Sequence, residues 1–193
     1  MAPRAARLPP AVQPYVEPTL DPAPDGLSAY DDEAEALVIA QLRALGAAAP
    51  WVPDALCRRL GAAWGQRLTA KLRARVEALA PAAGLVRDGD SFWPEAGPRA
   101  ATAVGWRRSD PALPAPRAAG ELPMSERRAA LAWLLAQGVD LPVDDLLRAA
   151  GREFGFAQLG RQVREALDEA LDALAADGQA VVADGRATLP GGA

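Results

Sequence analysis

Five cations in one short stretch carry the clearest chemical pattern in this sequence. They are Arg67, Lys71, Arg73 and Arg75 in "RLTAKLRARVEALAP", and Arg87 in "LVRDGDSFWP". Arg67, Lys71 and Arg75 recur every fourth residue, so on a helix they share one flank. Such a row of donors suits phosphates or base edges along a groove of duplex DNA. Residues 51–93 hold seven basic against four acidic residues, whereas residues 121–190 hold seven arginines against twelve acids. Only the first stretch has the footprint of nucleic-acid contact. A solvated basic face on an arginine-rich chain has the same composition, and the sequence leaves that alternative open.

Other chemistries are poorly supplied. The 193 residues include no histidine and one cysteine, Cys57. The commonest general base, histidine-ligated metals, an internal disulfide and multi-cysteine zinc sites are therefore excluded. Cys57 in "DALCRRL" reads as a small core residue. No "GxxxxGK[ST]" phosphate loop occurs, and the acids form no recognisable catalytic pair. The sequence reads as non-enzymatic, with no cofactor. A net charge of −4 argues against indiscriminate coating of nucleic acid or anionic membrane. With no apolar run of about 18 residues and no signal-peptide core in "MAPRAARLPPAVQP", the expected setting is cytoplasmic, with no membrane contact.

The elements that must position the cations follow from periodicity. Residues 1–30 are proline-rich and read as an extended or disordered leader. "DDEAEALVIAQLRAL", "PDALCRRLGAAWG" and "RLTAKLRARVEALAP" each carry apolar residues at helical spacing: Leu37, Val38, Leu42 and Leu45; Leu56, Leu60 and Trp64; Leu68, Leu72, Val76 and Leu79. "LVRDGDSFWP" then reads as a hairpin turning at Asp88-Gly89. After a proline-rich break, "SERRAALAWLLAQG" (with Ser125 as N-cap), "DLPVDDLLRAAGREFG" and "QLGRQVREALDEALDALAADG" repeat the helical order. "AVVADGRATLP" closes it with Asp184-Gly185. "RRLGAAWG" lies on "RAAGREFG", so Trp64 answers Phe154 and Gly65 answers Gly155, both pairs reading as core aromatic and turn glycine. The chain is an internal duplication: leader 1–30, unit 1 at 31–94, linker 95–120, unit 2 at 121–191. Trp106 in the linker reads as a seam residue, with stacking on a base as the alternative.

Three helices followed by a two-stranded hairpin describe a winged helix. The expected fold class is mainly α with small β-hairpins, a tandem winged helix-turn-helix. From about Tyr15 to Gly178 the sequence also resembles a bacterial domain of unknown function. That domain sits at the C-terminal end of very large superfamily-1 DNA helicase-like proteins, many of which carry an endonuclease domain related to the very-short-patch repair nuclease. The resemblance rests on an aromatic-Gly pair, a short basic turn with glycine, and a basic-apolar-Arg triplet entering the third helix. The second copy has Phe154, Gly155, Gly160, Val163 and Arg164, with Gln162 where a basic residue is usual. The first has Trp64, Gly65, Arg67, Lys71, Leu72 and Arg73; it is one residue shorter and has Thr69 near the expected glycine. The resemblance implies a DNA-processing context, in repair, restriction or defence, with motor and nuclease elsewhere.

Together these readings give an adaptor assisting a bacterial DNA helicase or nuclease. Unit 1 would bind duplex DNA weakly or non-specifically through Arg67, Lys71, Arg73, Arg75 and Arg87. Unit 2, whose third helix exposes Glu165, Asp168, Glu169 and Asp172, would dock the protein partner, with Arg161, Arg164 and Trp133 as contacts. An autonomous transcription regulator and a purely protein–protein interaction module are the alternatives.

Overall fold

Helical periodicity and turn glycines dictate most of what the computed structural model shows for residues 12–16, 18–97, 105–109, 117–137 and 140–191. Six helices and three small strand groups make the described chain mainly α with small β. It divides into two compact bodies: Val16–Thr102, and Met1–Tyr15 together with Ala103–Ala193.

In the first body, α1 (Glu35–Gly46) buries Val38, Leu42 and Leu45. In α2 (Pro53–Ala63) the proline occupies the first turn, where its missing N–H costs nothing, and Leu56 and Leu60 face inward. The Thr69 hydroxyl caps α3 (Ala70–Leu79) by accepting from the Leu72 N–H at 3.1 Å, and Leu72, Val76 and Leu79 are buried. Strands β2 (Leu85–Asp88) and β3 (Ser91–Pro94) follow as an antiparallel hairpin.

The second body places β4 (Trp106–Arg108) before α4 (Met124–Ala136). Then come β5 (Leu141–Pro142), α5 (Val143–Glu153), α6 (Arg161–Ala176), β6 (Val181–Ala183) and β7 (Arg186–Thr188). Leu146, Leu147, Ala150 and Phe154 from α5 and its end meet Val163, Leu167, Leu171 and Leu174 of α6 in one core. Helix α4 starts at Met124 after Pro123, so Ser125 is a buried helical residue rather than the N-cap.

The element order recurs in the two bodies, and so does a backbone bridge to each hairpin. In the second body β5 joins the hairpin, giving the order β5-β7-β6 with Leu141 opposite Ala187. In the first, Trp51 takes the corresponding place: its N–H donates to the Phe92 carbonyl at 3.0 Å, and the Phe92 N–H donates back at 2.8 Å. Trp51 and Leu141 stand as far apart in sequence as Trp64 and Phe154.

The two turns differ. Asp184 (φ 51°) and Gly185 (φ 71°) both take positive φ, as a type I′ loop requires. In the first hairpin Asp88 pairs with Ser91, so the loop is Gly89-Asp90 and only Gly89 has positive φ. That pattern is type II′. The turn lies one residue later than the Asp88-Gly89 expectation, because a glycine at the first loop position suits a type II′ turn as well as an Asp-Gly pair suits type I′.

The leader and linker also depart from expectation. Strand β1 (Val12–Pro14) runs parallel to β4, with Val12 opposite Trp106 and Pro14 opposite Arg108. Leu20, Ala23, Leu27, Ala29 and Tyr30 pack on the first core, and the Ala23 N–H donates to the Ala63 carbonyl at 2.8 Å. Residues 12–16 and 18–30 are thus built into the two bodies rather than disordered. Trp106, expected at a seam or as a stacking surface, is buried in the second core. The expectations for residues 1–11, and for 98–104 and 110–116 of the linker, lie outside the described residues.

One glycine pair tests the duplication's limits. A Cβ on Gly61 would stand 2.7 Å from the Gln66 carbonyl oxygen and 3.1 Å from Leu72 Cδ2, whereas on Gly151 its nearest neighbour is Val163 Cγ1 at 3.7 Å. Helical Gly→Ala otherwise gains up to about 1 kcal/mol. Gly151→Ala should therefore be neutral or stabilising in urea melts, and Gly61→Ala should destabilise by about 1–3 kcal/mol.

Candidate nucleic-acid interface

The cations of α3 differ sharply in what holds them. Arg67 lies exposed in the turn before the helix and makes no hydrogen bond or ion pair with any described residue. Lys71, in the first turn, sets its ammonium 4.1 Å from the Tyr30 ring centroid, a cation–π contact. The Tyr30 hydroxyl is 3.2 Å from Thr69 Oγ1, the helix cap. No acid occupies the first turn of α3, which leaves its amide dipoles available to an anion.

The other three cations are engaged. Arg73 grips Asp54 with two bonds, Nε–Oδ1 at 2.7 Å and Nη2–Oδ2 at 3.0 Å. Arg75 turns into the leader: Nη1 is 3.2 Å from Glu35 Oε2, and its other donors reach the Ala29 and Asp31 carbonyls at 3.4 Å. Arg87 lies 3.5 Å from Glu77 and over the Phe92 ring. Of the five expected cations, Arg67 and Lys71 carry no ion pair with a described residue, whereas Arg73 and Arg87 are paired yet about half exposed and Arg75 is held by a carboxylate and two carbonyls.

Arg73 has a counterpart. Arg164 Nη2 donates to Asp144 Oδ1 at 2.7 Å, so each copy ties its third helix to the first turn of its second. Both aspartates are held below the ordinary carboxylate range, chiefly by the hydrogen bond from the arginine. Arg164, expected as a partner contact, and Arg73, expected as a DNA contact, are thus one repeated clamp. Arg161 is exposed, 3.9 Å from Glu165. Trp133 is half-buried, its ring 5.4 Å from that of Trp106, which makes it the outer part of an aromatic pair. Around Arg161 and Arg164, α6 exposes Glu165, Glu169 and Asp172. Burial raises the Asp168 carboxyl, assisted by Asp172 and Asp144.

The charge contrast read from sequence windows does not survive folding. The body Val16–Thr102 has nine basic and twelve acidic residues, a net −3. The other body has twelve basic and thirteen acidic, a net −1. The reversal comes from acids ahead of α1, such as Asp21, Asp25, Asp31, Asp32 and Glu33, which belong to the same body as α3, and from arginines such as Arg107, Arg108 and Arg117, which belong to the other.

Sequence reasoning missed a buried ion cluster in the second body. Glu126 Oε1 accepts from Arg107 Nε at 2.6 Å, and Oε2 accepts from Arg117 Nη1 at 2.8 Å. Arg117 Nη2 donates to the Arg107 carbonyl at 2.6 Å. Both guanidiniums lie over the Tyr15 ring, at 5.5 and 4.4 Å. Arg117 and Glu126 side chains are 1% and 2% exposed. The burial lowers the Arg107 pKa, opposed by the Glu126 charge. The only sequence signal was Trp106-Arg107-Arg108 inside a proline-rich break.

Comparison with protein-family models, curated proteins and solved structures finds no match to this chain. No helix among the described residues is long and apolar enough to cross a membrane.

Two outcomes test these assignments. Removing one partner of a buried ion cluster costs about 3–5 kcal/mol, so Glu126→Ala should lower stability in urea melts by that amount, and Glu126→Leu should not restore it while both arginines remain. The clamp aspartates have depressed folded-state pKa values, so their contribution is present above the ordinary value of 3.8 and disappears as pH falls through the folded value. Double-mutant cycles for Arg73/Asp54 and Arg164/Asp144 should give favourable coupling at pH 7 that vanishes in strong acid.

Proposed function

We propose that the chain is a non-enzymatic adaptor of two winged-helix units that assists a DNA-processing protein. The first unit contacts duplex DNA weakly and without sequence preference, and the second docks protein. The observation that carries this reading is the entry to α3, where Arg67, with no partner among the described residues, and ring-seated Lys71 flank a helix N-terminus free of acids. The repeated three-helix and hairpin order, with a strand residue bridging to each hairpin, supports the winged-helix reading. In that fold the third helix enters a groove and the hairpin touches the backbone. The acidic exposed side of α6 opposes phosphate and suits a protein partner. The helicase or nuclease context rests on the resemblance of the repeat motif alone, and the cytoplasmic setting on the sequence.

A second reading, a pure protein-interaction module, is favoured by the net −3 of the body that carries α3. Fluorescence anisotropy on random-sequence duplex separates the two. The adaptor should bind at low salt with a log–log salt slope of about −2, reflecting two phosphate contacts. Arg67→Ala/Lys71→Ala should abolish binding, and Arg161→Ala should leave it unchanged. An interaction module would show no retention at any salt concentration. Tight sequence-specific binding with symmetric half-sites would instead indicate a transcription regulator.

A further inference from the structure

Residues 28–35, from the end of the leader to the first residue of α1, touch α3 and its entry turn repeatedly. Gln66 Nε2 donates to Ser28 Oγ at 2.9 Å. The Tyr30 ring lies under Lys71 and its hydroxyl meets the Thr69 cap. Arg75 reaches the Ala29 and Asp31 carbonyls and the Glu35 carboxylate. The segment is fixed from within as well. Asp31 Oδ2 accepts the Ser28 N–H at 2.8 Å, while Ala29 and Ala34 are fully buried. Between those two alanines, Asp31, Asp32 and Glu33 are exposed and adjoin Tyr30 in sequence.

We infer that Ser28–Glu35 is an acidic strap that regulates the phosphate affinity of α3. Tyr30 seats Lys71 at the helix entry, and the exposed Asp31, Asp32 and Glu33 follow Tyr30 directly in the chain. The inference rests on the DNA-contact reading of α3 and adds its regulation. The physical case is one of distance and screening. Asp31 is in hydrogen-bond range of α3 through its own carbonyl, and the Debye length at physiological ionic strength is about 8 Å. A phosphate approaching Lys71 therefore meets the field of the strap acids as well as that of the ammonium. Arg75, which spacing alone puts in the row with Arg67 and Lys71, is turned towards the strap instead.

The test neutralises the strap without removing it, since deletion would strip buried alanines from the core. Asp31→Asn/Asp32→Asn/Glu33→Gln keeps an acceptor for the Ser28 N–H. Glu165→Gln/Asp168→Asn/Asp172→Asn makes the same change in net charge on α6. Both are measured in the full chain by anisotropy on random-sequence duplex across salt, with thermal melts to confirm folding. The strap triple should bind about tenfold tighter at low salt, an advantage that shrinks as salt rises, and the α6 triple should bind like wild type. Equal gains in both triples would make net charge the cause and overturn the strap. So would an unchanged strap triple while wild-type binding still depends on Arg67 and Lys71, and in that case the DNA-contact reading stands. Absence of DNA retention in every variant overturns both.

Discussion

A left-handed glycine between the second and third helices is the constraint on which each half of this protein depends. Gly65 and Gly155 take φ of 60° and 85°, a region that L side chains avoid. Each follows a buried aromatic that ends the preceding helix, Trp64 or Phe154. The reversal is locked by the same backbone bond in both copies. The Gln66 N–H donates to the Gly61 carbonyl at 2.8 Å, and the Phe156 N–H to the Gly151 carbonyl at 3.0 Å. With that turn set, the third helix can lay its apolar stripe against the core, and the arginine of its second turn can reach the aspartate at the start of the second helix. Bridge residue, hairpin and clamp follow from one local geometry, used twice.

The copies part company in how they treat polar groups inside. The first threads one hydrogen-bonded chain through its core: Trp64 Nε1 donates to Gln41 Oε1 at 2.6 Å, and Gln41 Nε2 donates to the Asp21 carbonyl at 2.8 Å. That chain fastens the leader with neutral groups. The second answers Trp64 with Phe154, which has no donor, and fastens its N-terminal strand differently, with Arg107, Arg117 and Glu126 beneath Tyr15. A buried ion cluster of this kind carries a desolvation penalty comparable to its attraction. Its value therefore lies in fixing the geometry of β1 against β4 more than in net stability.

How much was legible follows from the range over which each signal acts. Helices, their buried stripes, the repeat and the positive-φ glycines came from residues within a turn or two of each other, and they are where periodicity put them. The Gly89-Asp90 turn was misread because the dipeptide Asp88-Gly89 fits a loop that begins at the aspartate and one that begins at the glycine equally well. The pairing of leader with linker went undetected because short strands such as β1 and β4 have no period to detect, and their partners lie in distant sequence. Of the candidate site, the helix and its entry were legible, and the availability of its cations was not. Whether the donors of Arg73 and Arg75 are engaged depends on Asp54, Glu35 and the Ala29 and Asp31 carbonyls, none of which helical spacing around Arg73 and Arg75 can reveal.

An arginine-rich chain can spend many of its cations inside the fold. With one lysine against twenty arginines, this protein uses a planar, five-donor cation wherever a lysine would serve a surface. Many of those forks are turned to internal tasks: clamping helix to helix at Asp54 and Asp144, gripping carbonyls of the leader, or filling the space under Tyr15. Counting basic residues along such a sequence therefore overstates the charge offered to a ligand. The informative cations are those whose donors the fold leaves unused, and at the entry to α3 they are Arg67, with no described partner, and Lys71, whose companion is a ring face that leaves its ammonium donors unclaimed.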